Sequence, residues 1–480
     1  MKSLRPLPGT PSLLALTLVL GTLAACASAP GQAPTRGELR AGTSGDYPPF
    51  SDWKEDRPHG FSVALVEHFA EAYRYQPSWV RFRWAELVQD LEAGKFDVAS
   101  SGITVRPERS VAGRFTVPIL RNGAVLLLRR PGWAPPPATG SRSTQESALA
   151  ALHAIDRPEL RVAVNRGGHL ERVARSLFRQ AQVQAIPDNA AVREALATGQ
   201  ADAALTNTTE APRWAQGLTG IELLGPLTQD VVAIYVSADQ LQLASQLDVW
   251  LVGNEQRGKV GALRAHYLGP GAGEPTALPV QALLAATAER LALMPLVAAA
   301  KQREGKAVED TAQEARALAS FRAEVRSAAG AYDKAPPPDE ALDAFFQAQM
   351  DAAKGIQQRT PASASAPTYS LETQLRPAVA RISEKMAALV TRLPDGLDEA
   401  TVLEQARDWL GASGLEPSEL ERIARTIPAL GSWQGEMGLA PPMAPSPGAG
   451  WCLGAGLCDT GAANERSREG AAGGPQTGLH

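Results

Sequence analysis

Arg290 and Lys301 stand eleven residues apart in AERLALMPLVAAAK (288–301), on an otherwise apolar helical pattern. Eleven residues are close to three turns, so both cations project from one side, with Cα atoms about 16 Å apart and side chains reaching about 6 Å each. Two such tips can bracket a small anion, or they can simply snorkel to the surface. Arg109 lies just beyond a Gly-Ile-Thr turn at 102–104. A guanidinium there can hold a carboxylate by two parallel hydrogen bonds, with Thr104 adding a hydroxyl, or it can be a surface ion pair. Gly167-Gly168 follows a strand pattern and opens a helix, where free amides and the helix dipole favour an anion. Glu210, in TNTTEA, is either a general acid whose pKa burial raises or a helix-start carboxylate suited to the dipole. Asp310 reads as an N-cap with Gln313 closing a capping box.

The elements around these residues fall into two kinds. From Gly37 to about Gly269, strand-like runs such as LRAGTS, FDVASSGIT and LRVAVNRGG alternate with helical patterns, which predicts α/β architecture. RRPGWAPPPATGSRS (129–143) reads as a loop, and 271–279 as a Pro/Gly-rich linker. From Val280 to about residue 430 the pattern is all helical, with helices expected near 280–303, 311–331, 338–358 and 371–392 and one or two more within 398–430. After Gly431 the chain is rich in Gly, Ala and Pro, which predicts a disordered tail.

Composition bounds the function. The 480 residues carry a formal net charge of -4, which argues against nucleic acid as a partner. Aromatics are 5% of the chain, so aliphatic side chains must build most of the core. Lys2, Arg5 and the apolar run 13–23 form a signal peptide (1–25), ending in LAAC. LAAC resembles the lipobox of bacterial lipoproteins, which implies acylation at Cys26 and a tether over 26–36. An ordinary signal peptide cut nearby is the alternative. Ala27 after the cysteine resembles an outer-membrane sorting signal. The expectation is an exported, periplasmic protein held on a membrane by an N-terminal lipid, with no second membrane span. Cys452 and Cys458 sit close enough to form a small-loop disulfide in an oxidising compartment, or to remain free thiols. Too few ligands surround them for a metal site.

GTSGDYPPF (42–50), AGKFD and GIT..ERS (93–110), NRGG (165–168), PDN (187–189) and TNTTEA (206–211) recur in an order that resembles family 3 solute-binding proteins. Within that group they resemble cyclohexadienyl dehydratase, over roughly 37–270. The resemblance implies a type II two-lobed clamshell of periplasmic-binding-protein kind. It implies Arg109 as carboxylate grip, Tyr47 and Trp84 as rings lining the ligand, and Glu210 as the acid that turns prephenate into phenylpyruvate. Trp84 as plain core is the alternative. Three departures stand out. Asn207 replaces an Asp that pairs a ligand ammonium in amino-acid binders, which favours a keto acid over its aminated analogue. His169 replaces a Thr, and Ala124 a Lys.

Residues 280–430 resemble the exported (gamma) class of chorismate mutases, through AERLALMPLVAAAK, VEDTAQEARAL, AFFQAQMDAAKGIQQ and LETQLRPAV. The resemblance implies an all-α domain in which Lys301 and Gln357 donate to the breaking ether oxygen of chorismate. Arg290 and Arg376 would hold carboxylates, Glu314 would lie near the ring hydroxyl, and Asp310 at the site edge. Gln313 stands where the class has an arginine, and Ala353 where it has Ser or Thr; Arg316, one turn on, is placed to substitute. The two resemblances together imply an exported bifunctional enzyme running chorismate to prephenate to phenylpyruvate, a route toward phenylalanine. The alternative is a mutase fused to a non-catalytic binding or sensor module for an amino or keto acid. Neither reaction calls for a cofactor or metal, and a homo-oligomer is compatible with the sequence.

Overall fold

The computed structural model describes residues 37–130, 145–362 and 367–431. The signal peptide, Cys26, the tether, most of the 129–143 loop and the tail with Cys452 and Cys458 lie outside the described residues.

Two five-stranded sheets form the α/β part. In the first, Gly37–Thr43 lies between Tyr75–Arg81 and Val98–Ala99, parallel to both; Tyr235–Ser237 and Gly113–Phe115 extend it antiparallel. In the second, Arg161–Asn165 lies between Gln182–Ile186 and Ala203–Asn207, parallel to both; Ala124–Arg129 pairs antiparallel with Ala203–Asn207, and Ile221–Leu224 pairs antiparallel with Ala124–Arg129. In the second sheet Ala124–Arg129 and Ala203–Asn207 are buried along nearly their whole length because helices cover both faces, whereas Gly37–Thr43 of the first is buried mainly toward its C-terminal end. The chain leaves the first lobe through Leu120–Asn122 and returns through Asp230–Val232, and these two segments pair antiparallel to make the hinge. The result is a two-lobed clamshell of type II.

The rest is helical. The expected 280–303 helix is two segments, Pro279–Ala292 and Met294–Arg303, broken at Leu293 because Pro295 lacks an N–H and crowds the preceding turn. The 279–303 span is long and apolar enough to cross a membrane, but 78% of its most apolar stretch is buried in the molecule, so it is a core helix. Thr311–Gly330 and Asp339–Arg359 follow. A π-helical turn, Leu371–Leu375, precedes Arg376–Val390, where Pro377 cannot donate to the preceding turn. Glu399–Leu410 and Pro417–Gly431 close the bundle.

The helical region does not hang on a free linker. Its core (Leu283, Phe345, Ile382) is continuous with that of the first lobe (Phe69, Leu247, Leu251). The connection itself is pinned by Arg264, which donates to Glu255 (2.5 and 3.0 Å) and to the carbonyls of Ala272 and Glu274, while Glu255 accepts from the Thr276 amide at 2.9 Å. Both partners of this ion pair are buried. Removing one leaves an uncompensated internal charge, so Arg264→Met should destabilise the protein by about 3–5 kcal/mol. Urea unfolding of the variant against the parent checks this, and an unchanged midpoint would mean that the pair does not fasten the connection.

Candidate functional site

The interlobe cleft is lined by Tyr47, Trp84, Thr104, Arg109, Gly168, His169 and Asn207, seven of the sequence-predicted residues. Asn122, Asn165, Asn189 and Asp230 join them. Its volume is about 40 Å³, room for only a few waters, so the lobes are closed. Asn207 donates to the Tyr47 hydroxyl across the gap, and Arg172 of the second lobe pairs with Glu108 of the first at 2.6 Å. Tyr47 stacks on Phe50 (5.1 Å) and meets Trp84 edge-on (5.5 Å). Trp84 also packs edge-on against Phe82, so it is at once core and cleft wall.

Arg109 is 1% exposed. Its Nη1 donates to the Thr104 carbonyl at 3.0 Å, its Nε has no partner, and it forms no ion pair among the described residues. Burial, with Arg106 as a second cation nearby, lowers its pKa to about 9. Arg106 also has buried N–H groups without partners. A buried guanidinium with free donors at a cleft is chemically suited to receive an anion.

The Gly167 amide is not available as expected. It donates to Glu171 Oε2 at 2.7 Å, so the carboxylate one turn on has taken the anion's place there. Gly167 itself has φ +75°, and a Cβ there would lie 2.9 Å from Ala85 of the other lobe, so glycine is required for closure. On the second lobe this leaves Gly168 and His169 at the cleft wall.

Glu210 is 1% exposed but does not line the cleft. It sits behind Asn189 and Asn207. Asn189 Nδ2 donates to Oε1 at 3.0 Å and Thr206 Oγ1 to Oε2 at 2.6 Å. Its side chain makes no helix cap; the adjoining turn is closed instead by Asn207 Oδ1, which accepts from the Thr209 and Glu210 amides. Burial raises the Glu210 pKa from 4.5 to about 8, against the opposing pull of its two hydrogen bonds.

Sequence reasoning missed Asp230. It is nearly buried on the returning hinge strand, accepts from Thr228 Oγ1 at 2.7 Å, and lies 3.0 Å from His169 Nε2 without hydrogen-bond alignment. A carboxylate is therefore present in the cleft although Asn207 is not one, and the preference for a keto acid over an aminated ligand does not follow from Asn207 alone. No motif marks Asp230; only the hinge crossing brings it there.

The helical region encloses a second cavity of about 380 Å³. Arg290, Lys301, Asp310, Glu314, Gln357 and Arg376 all line it, as do Gln313, Arg316 and Ala353. Arg290 is 4% exposed, forms no ion pair among the described residues, and has only the Gln349 carbonyl (3.4 Å), Met350 Sδ (3.5 Å) and the Phe346 face as partners. Burial lowers its pKa to about 10. Lys301 Nζ donates to the Val308 carbonyl at 2.6 Å, and burial lowers its pKa too. Gln357 donates to the Ala353 carbonyl at 3.1 Å and leaves Oε1 unpartnered. Arg376 is held by Glu372 (2.5 and 2.7 Å) and Asp310 (3.2 Å), so a ligand carboxylate must compete for it.

Asp310 caps its helix, accepting from the Gln313 amide at 3.0 Å, but Glu314 rather than Gln313 reaches back to the cap amide, at 3.3 Å. Gln313 instead accepts from Arg316 at 2.9 Å, which brings Arg316 to the wall. Lys354, unmarked by the sequence reading, pairs with Glu314 at 3.3 Å. Arg290, Lys301, Arg316, Lys354 and Arg376 outnumber Asp310, Glu314 and Glu324, so the lining suits a ligand with two negative charges.

Residues 39–270 match the model of bacterial extracellular solute-binding proteins, family 3. Cyclohexadienyl dehydratase of Pseudomonas aeruginosa is 30% identical over 236 residues, 48% of this chain and 83% of that protein. The chain belongs to the family 3 solute-binding proteins. An amino-acid ABC transporter-binding protein of Vibrio harveyi is 27% identical over 166 residues, 35% of this chain and 60% of that protein. A solved ancestral amino acid-binding protein, described as a precursor of cyclohexadienyl dehydratase, is 24% identical, covers 48% of this chain and 96% of its own, and has a TM-score of 0.42. The family 3 match ends at the pinned connection, before the helical cavity begins.

The Glu210 pKa has a consequence for stability. A group with a raised folded pKa stabilises fully below its unfolded value, near 4.5, and that contribution is lost as pH rises through about 8. Glu210→Gln cannot ionise, so its melting temperature should climb relative to the parent between about pH 5 and pH 9. A pH-independent difference would mean that Glu210 is ionised throughout.

Proposed function

We propose that this protein is an exported enzyme with two active sites, in which the helical cavity turns chorismate into prephenate and the cleft turns prephenate into phenylpyruvate. What carries the proposal is one feature seen twice: a buried arginine without an ion pair at a cavity wall, Arg109 in the cleft and Arg290 in the helical region. Each is costly to bury unless an anion arrives. The likeness to cyclohexadienyl dehydratase supports the cleft reaction.

In the cleft, Arg109 grips a carboxylate while Tyr47 and Trp84 flank the ring. Glu210 supplies the proton once the bound ligand displaces the Asn189 amide that covers its Oε1 on the cleft side. The ring hydroxyl takes it and leaves as water, the ring carboxylate leaves as carbon dioxide, and the electron pair of that bond completes the aromatic ring. Near neutral pH, Glu210 is protonated because its environment is dry. In the helical cavity no proton moves: Arg290 and the other cations hold the folded dianion, and Lys301 and Gln357 face the ether oxygen as its charge builds. Cys26 as a lipid anchor, and a periplasmic site of action, belong to the same proposal.

Glu210→Gln should lower phenylpyruvate formation from prephenate by about 10²–10⁴-fold, with prephenate still bound. Arg316→Ala should raise the KM for chorismate by about tenfold if Arg316 replaces the arginine absent at Gln313. Steady-state assays of each step, run separately on prephenate and on chorismate, read both. An unchanged rate in Glu210→Gln would remove the acid.

A second reading rests on the place of Glu210 behind the cleft wall. On that reading the cleft binds an aromatic keto or amino acid without turning it over, as a binding or sensor module, with Asp230 facing any ammonium group. Calorimetry showing tight binding to the parent protein with no phenylpyruvate formed would favour it.

A further inference from the structure

Arg109 stands on a helix of only six residues, Pro107–Ala112. So short a helix has no stability of its own and must be held by its neighbours. On the lobe side, the Tyr235 hydroxyl donates to the Arg109 carbonyl at 2.8 Å. Glu108 on the same helix pairs with Arg172 of the second lobe, and a further side is held by the helical region. Arg381 Nη2 donates to the carbonyls of Ser110 (3.1 Å) and Val111 (2.8 Å), meeting the unsatisfied end of the short helix with a cation, the favourable sign. Ser110 Oγ donates to Glu289 Oε1 at 2.8 Å. Glu289 Oε2 is fixed in turn by Lys385 at 2.5 Å, and Lys385 also donates to the Phe115 carbonyl at 3.0 Å.

These contacts come from two of the helices that line the second cavity, Pro279–Ala292 and Arg376–Val390. Glu289 is the neighbour of Arg290, and the two point to opposite sides of Pro279–Ala292: one to the clamshell, one to the cavity. Arg376 opens the helix Arg376–Val390 at the cavity, and Arg381 and Lys385 lie further along it, on the clamshell. The cleft arginine and the cavity arginine are thus joined through Arg109–Ser110 and Glu289–Arg290, with one hydrogen bond between the middle pair.

We infer that Arg381 and Glu289 are positioning residues for the Arg109 grip, so that the helical region is part of the machinery by which the cleft holds its ligand. Neither residue touches the ligand. Each fixes the backbone from which Arg109 reaches, and a shift of that backbone weakens the carboxylate grip while leaving the acid at Glu210 in place. The inference rests on the reading of Arg109 as the carboxylate grip.

The test uses the full chain with Arg381→Ala, Arg381→Lys and Ser110→Ala, and two readouts. The first is amide hydrogen exchange over residues 108–112, which needs no substrate. The second is the split between KM and kcat for prephenate. Arg381→Ala should speed exchange in the short helix and leave the sheet strands of the same lobe protected. It should raise KM about tenfold with kcat within about twofold, because a grip remote from the reacting hydroxyl contributes uniform binding. Arg381→Lys should restore most of the KM, Ser110→Ala should show a smaller rise in the same direction, and chorismate turnover should be unchanged in all three. Faster exchange in a protein inert to prephenate would support the positioning role and remove only the assigned substrate. Unchanged exchange and unchanged KM in a folded Arg381→Ala variant, or a loss confined to kcat, would overturn the inference.

Discussion

Burying a guanidinium without a counter-charge is among the least favourable acts in a folded protein, and among the described residues Arg109 and Arg290 both do it. Arg109 and Arg290 both have their charge withdrawn from water, their pKa values lowered by burial, and an N–H group without a partner. The same molecule shows what a buried arginine looks like when its role is structural. Arg264 is equally buried, yet Glu255 and three backbone carbonyls satisfy it. The contrast within one chain separates fastening from reception. The rest of the architecture can be read as what is needed to keep two such charges in place.

For Arg109 that means a hinge, two lobes and a dry interior. The same dryness that lowers the arginine pKa raises that of Glu210, so a cation ready for a carboxylate and a carboxyl that keeps its proton arise from one cause. For Arg290 it means a bundle whose helices present polar residues inward at one level. The break at Pro295 leaves Lys301 on the cavity side with Arg290, as the three-turn spacing requires.

The outline of both sites was legible because each is carried by local patterns. Turns, helix starts and the eleven-residue spacing place Arg109, Gly168, Arg290 and Lys301 without knowledge of the packing. What escaped depends on tertiary events. Asp230 and Asn122 enter the cleft only because the hinge strands cross beneath it. Lys354 reaches the second cavity from a helix whose inward face looks like ordinary core. The loss of the Gly167 amide to Glu171 is a local event, since the two lie one turn apart, but a glycine pair at a helix start carries no mark of whether a side chain or a ligand fills it. That the helical region holds the short helix of Arg109 could not be read at all, because residues 110 and 289 meet only across the domain boundary.

Closure gives these observations an order in time. A cavity of about 40 Å³ cannot admit an aromatic acid, so the lobes must part, breaking the contact between Tyr47 and Asn207 and the pair between Arg172 and Glu108. Neither contact includes the side chain of Arg109 or of Glu210. Arg109 belongs to the lobe fused to the helical bundle, whereas Glu210, Asn189 and Asn207 move with the other lobe. On the proposed function the grip is therefore fixed and the acid travels. Ligand meets Arg109 first in the open state, and closure brings Asn207 and Asn189 over it with Glu210 behind them. On that reading, an acid carried on the moving lobe behind Asn189 and Asn207 stays screened from water until the ligand is enclosed, the condition under which a carboxyl of raised pKa would keep its proton for the departing hydroxyl.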